Sequence, residues 1–191
     1  MRKESNILFV GVGGQGTISA SNLLSAALID LGYDVKMSEV HGMAQRGGSV
    51  STQVRYGENV HSPLIEKGTA DYIVSFEKSE SGRWLGFLKD NGTIISSDHE
   101  IRPYSVNMGK EVYPEEILEE MKSKGYHVHA VDAQNKALEL GNAKAANIIL
   151  LGILARDLEI DKELFVHLIR QYFKPALHDV NLRALELGYS I

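Results

Sequence analysis

The stretch Asn6–Thr17, NILFVGVGGQGT, is an apolar run that breaks into a cluster of glycines. Asn6–Val10 suits a strand buried on both faces of a parallel sheet. Gly11, Gly13 and Gly16 then satisfy G-x-G-x-x-G at the place where that pattern has physical meaning, between a strand and a helix. Glycine allows the tight turn and the close approach of backbone N–H groups, and the positive end of the following helix favours an anion. Gly11, Gly13, Gly14, Gln15 and Gly16 are therefore a candidate anion-binding loop. A Walker A loop needs a lysine where Thr17 stands, so the contact to a β/γ-phosphate is missing and an NTPase is disfavoured.

Downstream of the loop, Ile18, Leu23, Leu24, Ala27, Leu28 and Leu31 recur at helical spacing, and Gly32 supplies a stop. YDVKMSEV then reads as a second strand, expected to lie parallel to the first through a right-handed crossover. Glu39 closes that strand, where a dinucleotide fold presents an acid to a ribose hydroxyl, so a stand-alone NAD- or FAD-binding oxidoreductase is an open alternative. The next stretch is VHGMAQRGGSV, Val40–Val50, with an arginine between a glutamine and two glycines. Residues 48–56 alternate Val50, Thr52 and Val54 with polar neighbours, which predicts a strand with one dry face and one wet face.

The α/β rhythm continues through the strands ADYIVSF and GTIISS, with a short helix in EKSESGRWLGFL between them. Helical patterns run over 114–124, 143–157 and 161–173, the last with Asp161 as N-cap, and YHVHAVDA is a strand between the first two. AANIILLGILA, Ala145–Ala155, is apolar nearly all round, the mark of a buried helix or one facing another subunit. The C-terminal PALHDVNLRALELGYSI reads as a core-facing helix. No repeat, low-complexity tract or linker interrupts the 191 residues, so the expectation is one domain over 1–191. Its class is α/β: a Rossmann-like, doubly wound, mostly parallel sheet with a helical C-terminal third.

Composition narrows the function. Twenty Lys and Arg against 25 Asp and Glu give a net charge of −5 with no basic stripe, which argues against a nucleic-acid partner. No apolar run is long enough to span a membrane, and MRKES precedes a short strand rather than an export signal, so the cytoplasm is the expected location. The chain has no cysteine, which removes thiolate nucleophiles and cysteine-ligated iron–sulfur clusters from its own chemistry.

Three segments in fixed order carry a resemblance. GVGGQG at the first turn, HGMAQRGGSV after the second strand, and SPLIEKGTADYIVSFEKSESGRWLGFLKDNGTIISS in the middle resemble the gamma-type subunit of 2-oxoacid:ferredoxin oxidoreductases. MAQRGG, with ANIILLGIL around Asn147, is most similar to the indolepyruvate branch, and the resemblance runs from Asn6 to Leu187. It implies a complex that oxidatively decarboxylates a 2-oxoacid such as indolepyruvate, passes electrons to ferredoxin and gives the acyl group to coenzyme A. It also implies that thiamine diphosphate, Mg and [4Fe-4S] clusters are on a large partner subunit. This chain would then bind no cofactor alone and would complete the active-site cleft; a homo-oligomer is a further expectation for the isolated chain.

That gives Arg46 a job. Its guanidinium is a fixed fork of donors suited to a carboxylate or phosphate, and glycines beside it add close N–H groups. Gln45, Arg46, Gly47, Gly48 and Ser49 are the candidate contacts to the oxoacid carboxylate, coenzyme A or the partner, against the plainer reading of a turn with a local ion pair. Glu77, at a strand's carboxyl end, joins Arg46 as a candidate catalytic residue. Glu80 and Arg83 are spaced for an ion pair within a helix. His41 reads as a hydrogen-bonded loop histidine, and His127 and His129 share a strand face without a third ligand, so no metal site is expected.

Overall fold

The computed structural model describes residues 4–41 and 48–191, His41 through its backbone alone. Strand β1 (Ser5–Val12) is buried along almost its whole length. The glycine loop leads from it into α1 (Thr17–Asp30), which lays Ala20, Leu23, Leu24, Ala27 and Leu28 against the sheet. Gly32, with φ of 81°, ends that helix in the left-handed region, where a glycine carries no Cβ penalty. Strands β2 (Asp34–His41) and β3 (Ser49–Gly57) come next, then β4 (Ala70–Ser75), the short helix α2 (Lys78–Arg83) and β5 (Leu88–Ser97). Beyond these come α3 (Tyr104–Asn107), α4 (Ile117–Ser123), β6 (His127–Val131) and α5 (Ala133–Glu139). The chain closes with α6 (Ala146–Asp157), α7 (Lys162–Tyr172) and α8 (His178–Ser190).

The sheet order is β2-β3-β1-β4-β5-β6. β1, β4, β5 and β6 pair in parallel, whereas β3 is antiparallel to both β1 and β2. The expected α/β fold with a mostly parallel sheet is thus present, with one change. The second strand points the same way as the first but is not its neighbour, because β3 folds back as a hairpin and takes the place beside β1. Antiparallel pairing along eight positions, from Ser5 opposite Tyr56 to Val12 opposite Ser49, holds it there.

That position also explains why β3 does not have the wet face its alternation predicts. An interior strand is covered on both sides, and Ser51, Thr52 and Gln53 are buried along with Val50 and Val54. Gln53 meets the cost of burial by accepting a hydrogen bond from the Ile65 N–H at 2.6 Å.

Two cores flank the sheet. Ile7, Phe9, Val54, Val74 and Ile95 face α1, α5, α6, α7 and α8, while Leu8, Val10, Ile73 and Ile94 face the thinner layer around Leu118 and Met121 of α4. The nearly all-apolar α6 is buried within the chain itself, from Asn147 to Ala155. Gly152 and Gly188 let α6 and α8 cross in backbone contact: a Cβ on Gly188 would come 2.8 Å from the Cα of Gly152 and nearer still to the Ile149 carbonyl.

Candidate functional site

Chain leaves β1 in one direction toward β2 and reaches β4 on the other side, so the crevice of this open sheet lies beyond the carboxyl ends of β1 and β4. A cleft of about 640 Å³ occupies that place. Its walls include Gly14, Gln15, Gly16 and Ser19 at the start of α1, Phe76 after β4, and Ser97, His99 and Ile101 at the end of β5. The opposite wall comes from Asn142–Asn147 at the start of α6, with Leu150, Phe173, Leu177 and Asn181.

The loop is held by its own glutamine. Gln15 Oε1 accepts from the Val12 N–H at 2.7 Å, and Gln15 Nε2 donates to the Phe76 carbonyl at 2.8 Å. One side chain therefore ties β1 to the end of β4. A Cβ at Gly11 would lie 2.8 Å from that Gln15 oxygen and 3.0 Å from Phe76 Cβ, so this glycine is required by space. Gly13 gives its N–H to the Gly48 carbonyl at 3.0 Å. Gly16 is the N-cap of α1 in the left-handed region, with φ of 86°, and no side chain caps the helix. The first-turn N–H groups and the helix dipole are left to the cleft, an arrangement that favours an anion. Among the expected loop residues, Gly14, Gln15 and Gly16 line the cleft, while Gly11 and Gly13 shape it from behind.

Gln45, Arg46 and Gly47 lie outside the described residues. Gly48 stands beside the glycine loop through its bond from Gly13. Ser49 faces the other side of the sheet, where its hydroxyl donates to Glu80 Oε2 and accepts from Trp84 Nε1 at 3.5 Å. Glu80 and Arg83 form the ion pair expected within α2, Oε1 to Nε at 3.0 Å.

Glu77 is fully buried and caps α2, accepting from the N–H of Glu80 at 3.1 Å and the hydroxyl of Ser79 at 2.6 Å. Its other oxygen takes the Ile101 N–H at 3.2 Å and the Tyr113 hydroxyl. With donors on both oxygens, the geometry gives this carboxylate a capping and bracing role instead of the exposed reacting position that its strand-end location suggests. Burial, then the hydrogen bond to Glu77, pushes the Tyr113 phenol well above its ordinary range. Asp98, on the loop after β5, is held above the usual carboxylate range by burial and by its neighbour Asp132.

Glu39 pairs across the sheet with Thr52, which in turn lies opposite Phe9. Two strand spacings, roughly 10 Å, separate it from the strand that carries the glycine loop. The inserted β3 thus moves this acid away from where a dinucleotide's ribose would need it, and the NAD or FAD alternative loses its geometric support. His127 and His129 are on the edge strand β6, and among the described residues no group of three or more His, Cys, Asp or Glu gathers to hold a metal.

Sequence reading missed most of the wall opposite the loop. Asn142 accepts from the Lys144 N–H at 3.0 Å and so starts the turn that delivers α6. Asn147 reaches across 131 residues of chain to donate to the Gly16 carbonyl at 3.3 Å. A Cβ on Gly16 would be 2.6 Å from the same Asn147 nitrogen, so loop and helix fit only with glycine there. The available signal was GNAKAAN, a capping asparagine just ahead of an apolar helix.

Residues 6–191 match the family Pyruvate ferredoxin/flavodoxin oxidoreductase. The chain is 42% identical to indolepyruvate oxidoreductase subunit IorB of Thermococcus kodakarensis, covering 97% of this chain and 95% of that one. The corresponding subunit of Archaeoglobus fulgidus is 38% identical over 97% of this chain and 94% of its own length. Among solved structures, the gamma subunit of a keto/oxoacid ferredoxin oxidoreductase from Geobacter sulfurreducens has the same fold, with a TM-score of 0.74 at 20% identity over 98% of this chain and 95% of that one. The 2-oxoglutarate:ferredoxin oxidoreductase of Magnetococcus marinus matches with a TM-score of 0.74 at 21% identity, over 100% of this chain and 31% of that much longer one. By its full-length match and by the relatives it shares that length with, the chain belongs to the pyruvate ferredoxin/flavodoxin oxidoreductase family.

Proposed function

We propose that this chain is the small subunit of an indolepyruvate-type 2-oxoacid:ferredoxin oxidoreductase. The complex cleaves the bond between the carboxylate and the keto carbon of an aryl 2-oxoacid, releasing CO2. The remaining acyl group forms a thioester with coenzyme A, and the two electrons set free leave singly to two oxidised ferredoxins. The near-full-length likeness to archaeal indolepyruvate oxidoreductase subunits carries this reading.

Thiamine diphosphate and its Mg supply the carbanion chemistry of that reaction, and iron–sulfur clusters supply the path for single electrons. A chain without cysteine offers no thiolate to a cluster, so we place these groups on a large partner subunit. The task left to this chain is to hold and orient an anionic group. The open first turn of α1, with Gly14, Gln15 and Gly16, takes a phosphate of coenzyme A or the oxoacid carboxylate, and Arg46 with its neighbours Gln45, Gly47 and Gly48 supplies a second anion or partner contact.

The partner would also cover a spur beside the cleft. It leaves the cleft wall at Ile101 and carries Tyr104, Met108 and Val112, which are 76%, 55% and 94% exposed. Internal bonds hold its shape: Met108 N–H to the Tyr104 carbonyl at 3.0 Å, Lys110 N–H to the Ser105 carbonyl at 2.9 Å, and the Ser105 hydroxyl to Glu111 at 2.7 Å.

Co-expression with a large cysteine-rich partner should give a brown complex that reduces an electron-accepting dye when supplied with coenzyme A and an aryl 2-oxoacid. Within it, Arg46→Ala should raise KM for the oxoacid or coenzyme A by about tenfold or more, the scale of one lost charge-assisted contact. A colourless chain that binds no partner, or one that purifies with flavin or takes up NAD at micromolar concentration, contradicts the proposal.

A further inference from the structure

The two limbs of the spur meet at one buried carboxylate. Glu77 follows β4, and its Oε1 accepts from the Ile101 N–H at 3.2 Å on the outgoing limb and from the Tyr113 hydroxyl on the returning one. Ile101 lines the large cleft, while Tyr113 lines a smaller one of about 310 Å³ between the spur and α2. A single oxygen atom therefore holds a wall residue of each cavity. Further ties gather at the same foot. The Lys78 N–H donates to the His99 carbonyl at 3.1 Å, and its ammonium, on a side chain 11% exposed, pairs with Glu100 and donates to the Glu115 carbonyl at 2.9 Å. Arg102 donates to the Glu115 carboxylate at 2.8 Å, and the Lys78 and Arg102 cations lie 5.6 and 5.5 Å from the centroid of the Tyr113 ring.

Charges taken out of water return little net stability, because desolvation offsets their attraction, and apolar residues would close the foot of a loop as firmly. What the network supplies is one fixed relation between the two limbs. Gln15 extends that relation to the glycine loop, since it donates to the carbonyl of Phe76, the residue before Glu77. We infer that Tyr113 is a positioning residue for the large cleft: its hydroxyl acts through Glu77 to set the Ile101 wall and ties that wall to the foot of the spur. This rests on the function proposed above, which puts an anionic ligand in the cleft and the partner on the spur.

Tyr113→Phe removes the hydroxyl and keeps the ring beside its two cations. In the full chain, hydrogen–deuterium exchange should rise by about tenfold or more at Ile101 as well as along 108–113, the scale of one hydrogen bond to a charged group, while α1 and α6 exchange as in the wild type. In the assembled complex, KM for coenzyme A or for indolepyruvate should rise by about fivefold or more with kcat within about twofold. A merely structural role would lower thermal stability and leave KM where it was. Arg102→Met loosens the same foot from its exposed side; it moves both readouts in the same direction and decides the question if Tyr113→Phe does not fold. Exchange that rises only along 108–113 overturns the inference, as do KM values for both compounds within about twofold of the wild type in a folded variant. A complex inert toward oxoacids contradicts the proposed function instead, and exchange in the full chain then decides this assignment by itself.

Discussion

At the scale of single residues, buried hydroxyls set how the protein responds to alkali. Tyr56 is 4% exposed at the end of β3 and stacks edge-on with Tyr33, ring centroids 5.0 Å apart. Burial first, and the neighbouring Tyr33 next, push its phenol up to about 12, against the ordinary value of 10.0. An acid whose pKa rises on folding is stabilised in its protonated form. Its contribution is complete below the unfolded value and is lost as pH climbs through the folded one. Folding stability should therefore fall across roughly pH 10 to 12, with the phenolate absorbance of Tyr56 emerging late. Urea unfolding at stepped pH, for the wild type and Tyr56→Phe, measures this, and an equal alkaline decline in the variant would assign the loss to other groups. Tyr72 and Tyr189 are also raised by burial and contribute in the same direction.

At the scale of elements, the crossing of α6 and α8 turns on its two glycines. Replacing a helical glycine by alanine ordinarily gains about 1 kcal/mol of helix propensity. At Gly188 the added carbon would press on the Ile149 carbonyl and the Cα of Gly152, and backbone atoms cannot swing aside as a side-chain end can. Overpacking costs of about 1–3 kcal/mol or more outweigh the gain. Gly188→Ala should thus lower stability by about 2 kcal/mol in denaturant titration, and a variant as stable as the parent would show that the helices separate freely. The same elements mark what a sequence discloses. The strand ahead of the glycines, α1 and its Gly32 stop, the Asp161 cap and the buried character of α6 are legible because local pattern decides them. The place of β3 is not, since alternation tells which residues share a face but not which strand lies beside it. Helix α5 was not read from the sequence, although Asp132 accepts from the Asn135 N–H at 3.2 Å in an ordinary cap. Asn147 and Asn181 stayed hidden because the cleft they line joins segments more than a hundred residues apart.

At the scale of the whole molecule, the glycine loop, the cleft and the apolar spur all belong to the end of the sheet where β1, β4 and β5 finish. A partner that covered this end would bury Tyr104, Met108 and Val112 together. Val112→Asp should then reduce recovery of the partner in pull-down from co-expressing cells by about tenfold or more while far-ultraviolet circular dichroism stays that of the parent, since placing an unpaired charge in an apolar contact is costly. Full recovery of the partner would move the interface elsewhere. The thinner layer on the α2 and α4 side carries a smaller cleft of about 310 Å³, bordered by Arg83, Val112, Tyr113 and Ile117, while the opposite layer, with its five helices, is the backing for the larger one.

Gln15 gives that backing a kinetic meaning. Its two hydrogen bonds fasten the loop to β1 and β4 through the chain's own side chain, so an anion taken up as proposed would meet N–H groups that are already aimed. On the proposed function, little conformational entropy would be left to lose on capture, which favours pre-organisation over loop closure. If the proposed function holds, association at this end of the molecule should be limited by encounter and by docking of the partner rather than by ordering of the loop.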